Sequence, residues 1–378
     1  MANQSSGGSA RRVIEGVPRI QFYESGPRCP EDFCLPSSLR ALTEHLGESL
    51  GCQHVKGRGS VPKVECAYAY LTGITGEAFQ LFWSKDWADA HPGHGLVHAG
   101  QIEGLARAFE AIGHSYQATF RGQPGFDETT LRDRVIASIA AGRPALGFGV
   151  VGPPEPGLIS GYDEGADVLI GWDFFQGMPE FQTGLEFEPS GYYRQRNWTS
   201  RIAGLVTIGD KVDKPPLGEV ARKALRRALE IMRTPTIKDG ERELHSGLAA
   251  YIAWANALRP DEDFPRDNLD VLRQRHGEHD DAVGIVAEGR WYGSLFLRQV
   301  GRQEPALAPA LNKAADCFAA EHDLMWAVWY FLGGLGRSDE HARKMAEPFL
   351  RERMVPIILL SREKDEEAAN CIERALAE

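Results

Sequence analysis

The sequence predicts an α+β domain followed by an all-helical domain. Three observations carry this. The first half mixes apolar residues at helical spacing with paired apolar runs typical of a hairpin. A charged, proline-rich stretch, DKVDKPP at 210–216, then reads as a linker. Beyond it the periodicity is almost wholly helical. The expected divisions are a polar tail over 1–16, the α+β domain over 17–212 and a helical bundle over 217–378.

In the first half, Leu35, Leu39, Leu42 and Leu46 line one helix face, and Gly47 closes that helix. Further helices are expected from Gly76 through Trp83 and from Gln101 to Ile112. Asp127 caps another, with Leu131, Val135, Ile136 and Ile139 on its buried side and Gly142 after its end. Ala145 to Val151 reads as a strand. Gly157 to Phe175 carries two apolar runs around Asp163-Glu164-Gly165, a hairpin with a glycine turn. Ile202 to Gly209 is a further strand. In the second half, helices are expected at 217–233, 243–257, 269–276, 280–302, 306–331 and 339–377, the last broken at Pro348 and Pro356. No fixed-period repeat is present, which argues against a solenoid.

Composition narrows the function classes. A net charge of -11 argues against a nucleic-acid partner. The six cysteines fit neither a disulfide framework nor zinc-ligand spacing, so reduced thiols and no metal are expected. The start, MANQSSGGSARR, lacks the apolar stretch of a secretory signal, and no apolar run approaches membrane-spanning length. A cytoplasmic protein without membrane or cofactor dependence is the expectation, with a second copy of the chain as one partner.

Three stretches carry a resemblance: CLPSSLRALTEHLG (34–47), LRDRVIASIAAGRPALGFGV (131–150) and ISGYDEGADVLIGWDFF (159–175). In this order they resemble the nucleophile helix, the helix-turn-strand and the active-site hairpin of papain-like cysteine peptidases. The nearest likeness is to bacteriocin-processing peptidases and the N-terminal domain of butirosin-biosynthesis protein H, an acyltransferase. The resemblance spans roughly residues 17–212 and implies a papain-like cysteine-protease fold for that domain.

It also implies roles. Cys34 occupies the nucleophile position, where a helix N-terminus favours the thiolate and offers N–H groups to an oxyanion. Asp173 aligns with the residue that orients the base. The base itself departs from the family: the position about six residues before the GY corner holds Glu155, and no histidine occurs between His114 and His245. Glu155 substitutes for an imidazole only if burial raises its pKa. Gln21 is a candidate oxyanion-hole side chain, and Tyr162 at the GYD corner a substrate contact.

In the helical half, His279 and His322 lie beside aromatic runs and are candidates to line a ligand cleft. The plainer reading makes their polar neighbours caps and surface groups around an aromatic core. A metal-dependent enzyme would need both histidines to converge with carboxylates. The expected function is cysteine-dependent acyl transfer or amide hydrolysis on an acyl-thioester, small-molecule or peptide substrate. The alternative is an inactive papain-like domain that binds a small molecule or peptide, with the helical domain as lid or dimer surface.

Overall fold

The computed structural model describes residues 11–20, 31–51, 66–87 and 100–377. The chain is mixed helix and antiparallel sheet, as an α+β protein is. It divides into two compact units, one of residues 1–68 and 108–215, the other of residues 69–107 and 216–378. Segment 69–107, which the sequence reading kept with the first domain, therefore groups with the second unit. Its Phe79 meets Phe296 and Phe318 at 6.2 and 6.0 Å, and its Trp83 stacks on Trp254 at 5.9 Å.

In the first unit, β1 (Arg12–Val13) precedes α1 (Cys34–His45). The apolar face of α1 is buried, and Gly47 turns the chain with φ 66°. Next along the chain come helices α2 (Cys66–Thr75) and α3 (Gly100–Ile112), separated by β2 (Phe82–Trp83), most of this stretch belonging to the second unit. The expected helix from Gly76 to Trp83 is corrected here. A single 3₁₀ turn at Glu77–Phe79 leads into strand β2, with Gly76 in the left-handed region at φ 99°.

The sheet is assembled from β3 (His114–Phe120), β4 (Ala145–Phe148), β5 (Pro156–Asp163), β6 (Val168–Trp172), β7 (Leu185–Phe187), β8 (Tyr193–Arg196) and β9 (Gly204–Lys211). Its order is β3-β9-β4-β5-β6-β8-β7, with β1 added beside β5. Helix α4 (Glu128–Ala140) is capped by Asp127, whose side chain accepts from Thr130 N at 2.9 Å. Leu131, Val135 and Ile139 of α4 share a core with Ile159, Tyr162, Leu169 and Tyr193 of the sheet.

Strand β5 is the hinge of this arrangement. Its first half pairs with β4 (Leu146↔Leu158), and its second half pairs with β1 on that same side (Val13↔Gly161). The other edge pairs with β6, with a register shift between Ile159 and Gly161. A Cβ at Gly161 would stand 2.7 Å from the Arg12 carbonyl, so glycine in the GYD corner is what admits β1.

In the second unit, α5 (Leu217–Arg233) is followed by β10 (Thr236–Asp239) and β11 (Arg242–Ser246), a hairpin that also pairs with β2. This corrects the helix expected over 243–257: the Asp239-Gly240 turn starts a hairpin, and α6 begins only at Gly247 and ends at Ala257. One continuous helix, α7 (Leu269–Gln303), replaces the two expected, running through Gly277. Then come α8 (Ala308–Leu332), the short α9 (Asp339–Lys344) and α10 (Pro348–Ala377). Pro348 opens α10 in the first turn, and Pro356 lies inside it without ending it. Among the described residues, no helix is long and apolar enough to cross a membrane.

Candidate functional site

Cys34 is the first residue of α1 and is buried, 7% exposed. The chain enters the helix through an extended Phe33, whose N–H donates to the Tyr68 hydroxyl at 3.0 Å. A buried polar knot then fixes the first turns. The Ser37 hydroxyl and Arg40 Nε both donate to Glu31 Oε2, at 2.6 and 3.0 Å, and Arg40 Nη2 reaches the Arg19 carbonyl at 3.2 Å. Burying a guanidinium and a carboxylate together is tolerated only with such mutual hydrogen bonding. Sequence reasoning missed this knot, because nothing in the spacing of Glu31, Ser37 and Arg40 marks it.

Ser38 locks the helix to the sheet, its hydroxyl donating to the Pro156 carbonyl at 2.9 Å. Cys34 is four residues earlier and hence on the same helix face, one turn toward the N-terminus. That face is the one set against the start of β5.

Glu155 immediately precedes β5 and is buried. Its backbone is held in a tight turn, with the Gly149 N–H donating to the Glu155 carbonyl at 3.0 Å and the Glu155 N–H to the Pro153 carbonyl at 2.7 Å. Asp173 follows β6, and because Leu158 pairs with Trp172, it lies opposite Gly157. The two residues thus lie at the same end of the β5–β6 pair, close enough for the charge of Glu155 to act on Asp173.

Asp173 is only 2% exposed. Its Oδ1 accepts from the Phe175 N–H at 2.9 Å, its own N–H donates to Gln176 Oε1 at 2.9 Å, and Gln176 Nε2 donates to the Gly191 carbonyl at 3.0 Å. This is a reciprocal cap on the turn Phe174–Gly177. Its Oδ2 is buried without a hydrogen bond of ordinary geometry and lies 2.5 Å from where a Cβ on Gly157 would stand. Burial pushes the Asp173 carboxyl up to about 7. The Phe175 and Val151 amides oppose that rise, and the charge of Glu155 adds to it.

The remaining candidates fall elsewhere. Gln21 lies outside the described residues, as do His54, His91, His94 and His98. Tyr162 is buried in the β5 core opposite Leu169, facing α4 residues rather than a cleft. His45, at the far end of α1, meets the Gly142 carbonyl at 3.2 Å, and His114 meets Glu48 at 3.3 Å.

In the second unit, His279 Nδ1 accepts from Trp254 Nε1 at 3.1 Å. Its Nε2 is buried without a partner, and burial lowers its pKa to about 3, so the ring is neutral. His322 Nε2 accepts from Trp326 Nε1 at 3.0 Å, and its Nδ1 donates to the Ala287 carbonyl at 2.9 Å. Each histidine is committed to its own tryptophan. Among the described residues no group of three or more His, Cys, Asp or Glu side chains is placed to hold a metal.

The most charged interior feature of this unit joins residues far apart in the sequence, Tyr251, Arg290, Glu321 and Asp365. Arg290 and Asp365 pair through two hydrogen bonds, the Tyr251 hydroxyl donates to Glu321 Oε2 at 2.9 Å, and all four residues are fully buried. One guanidinium cannot neutralise two carboxylates. Burial and the charge of Asp365 raise Glu321 well above the carboxylate range, so Glu321 is the protonated member. Its hydroxyl then donates toward Asp365, which accounts for an Oε1 that no N–H or hydroxyl reaches.

No protein-family model matches the chain, and no curated protein is similar to it in sequence.

Proposed function

We propose that the first unit is a papain-like domain that performs cysteine-dependent acyl transfer or amide hydrolysis, with a carboxyl pair where relatives of the proposed family hold an imidazole. The observation that carries this reading is the convergence of Glu155 and Asp173 at the end of β5 to which the Cys34 face of α1 is fastened by Ser38. An Asp173 pKa of about 7 gives the pair one exchangeable proton near neutrality, which is what a general base and acid requires. In the reaction the Cys34 proton passes to the pair and the thiolate attacks the acyl carbon. An S–C bond forms as the bond to the leaving group breaks. With a thioester donor the pair passes that proton to the leaving thiolate and becomes basic again. It then takes the proton of the attacking amine or water as the Cys34 S–C bond breaks, and returns it to the departing Cys34 sulfur.

A second reading, a binding domain without turnover, is favoured by the burial of Cys34 and by the use of Asp173 as a turn cap. Timed alkylation with iodoacetamide, read by peptide mass spectrometry, separates the two. The enzyme reading expects Cys34 to react much faster than Cys317 and Cys371 at neutral pH, with the rate rising through about pH 7 and the pH dependence lost in Asp173→Asn. A Cys34 that stays unmodified in the folded protein leaves the binding reading.

A further inference from the structure

Beside Asp173, on the first unit, lies a cavity of about 490 Å³ whose lining includes Arg19, Phe174, Met178, Gln182 and Phe187. That volume falls within the range of small-molecule sites. Its wall is mostly apolar, and Phe187 at its edge is 46% exposed, a large ring left in water. The amide of Gln176, which also borders the cavity, is spent on Asp173 and Gly191. The cation at the cavity is different. The Arg19 guanidinium is exposed, stacks over Trp172 at 5.3 Å, and has no carboxylate partner among the described residues. Trp172 is itself fixed, by a bond from its Nε1 to the Val17 carbonyl at 3.1 Å and by Tyr192 at 4.6 Å. The guanidinium therefore rests over a fixed aromatic face, and among the described residues no carboxylate pairs with its N–H groups.

We propose that this cavity binds a small organic carboxylate whose apolar or aromatic body packs against Phe174, Met178 and Phe187 while its carboxylate pairs with Arg19. A planar guanidinium offers two parallel N–H donors that match a carboxylate, and stacking on Trp172 reduces the freedom lost on pairing. The apolar wall supplies affinity without a charge requirement, so the anion preference rests on Arg19 alone. Burial favours the neutral form of Asp173, the acidic group at the cavity, so it competes less with a ligand for the guanidinium's charge. The proposal stands whether or not Cys34 reacts.

The test is calorimetric titration of 4-phenylbutyrate and of its uncharged amide, 4-phenylbutyramide, into the full chain and into Cys34→Ala. Saturable binding of the acid is expected, equal in both proteins, with the amide about tenfold weaker, the difference made by one charge-assisted pairing. Arg19→Gln should bring the acid down to the level of the amide and leave the amide unchanged. Phe187→Ala should weaken both alike. Equal binding of acid and amide to the unaltered chain, no saturation by either, or an acid affinity unmoved by Arg19→Gln would each overturn the proposal.

Discussion

Arg290 and Asp365 form a two-pronged ion pair, at 2.9 and 2.7 Å, with both side chains wholly removed from solvent. Arg290 also donates to the Ala78 carbonyl at 2.8 Å, so the pair ties segment 77–79 to α7 and α10. Asp365→Asn strands a buried guanidinium and should cost about 3–5 kcal/mol in urea unfolding. Glu321→Gln replaces a neutral acid by a neutral amide that keeps an acceptor for Tyr251 and a donor for Asp365. Its expected cost is under about 1 kcal/mol. An equal loss in the two variants would show that Glu321 is ionised.

Asp173 sets a second, pH-dependent expectation. Its carboxyl titrates near 7 when folded against 3.8 as a free group, so the folded protein binds that proton more tightly. The stability it contributes is full below about pH 4 and is lost as pH rises through about 7. Asp173→Asn keeps the Oδ1 acceptor for Phe175 and removes the titration. The variant should gain roughly 4 kcal/mol over the unaltered chain at pH 8 and lose that advantage at pH 4. Urea unfolding at the two pH values checks it, and an advantage larger at pH 4 would refute it.

His279 acts with the opposite sign. A neutral imidazole held at about 3 when folded, against 6.5 when free, binds fewer protons in the native state. Stability is therefore lost as pH falls below 6.5 toward 3. His279→Asn retains an acceptor for the Trp254 N–H, and its acid-unfolding midpoint should move to lower pH. Tryptophan fluorescence during an acid titration reads this directly; an unchanged midpoint would mean that other groups control acid unfolding.

Gly157 is the smallest residue that fits under Asp173. Gly157→Ala brings a methyl to 2.5 Å from Oδ2, so the carboxyl must shift out of its buried position. The expected cost is about 1–3 kcal/mol. As the carboxyl gains water, the decline in stability between pH 4 and 7 should flatten, measured by the same unfolding series. A slope as steep as in the unaltered chain would show that Asp173 has not moved.

Much of the first unit was legible because its signals are local. Asp127 before α4, Gly142 after it, and the paired apolar runs around Asp163-Glu164-Gly165 each dictate backbone geometry by themselves. The carboxyl pair was legible only in part: Asp173 and Glu155 could be named from order along the chain, but their mutual burial depends on the pairing of β5 with β6. Strand β2 and the β10–β11 hairpin were missed for a related reason. Phe82-Trp83 and Leu244-His245-Ser246 are apolar enough to continue either neighbouring helix, and only their pairing across the sheet decides for strand. The Asp239-Gly240 turn was the one sequence signal available there. The commitment of His279 and His322 to separate tryptophans is likewise set by side-chain packing that periodicity does not encode.

Strand β5 has one edge shared between β4 and β1, the other covered by β6, and its first carbonyl bonded to Ser38. No short stretch of the first unit can open around it without breaking several of these attachments at once. Its amide protons should therefore be the last of this unit to exchange with deuterated solvent, leaving only when the unit unfolds as a whole. The floor under Glu155 and Asp173 would then be as long-lived as the fold itself, and a ligand or substrate would meet it already formed.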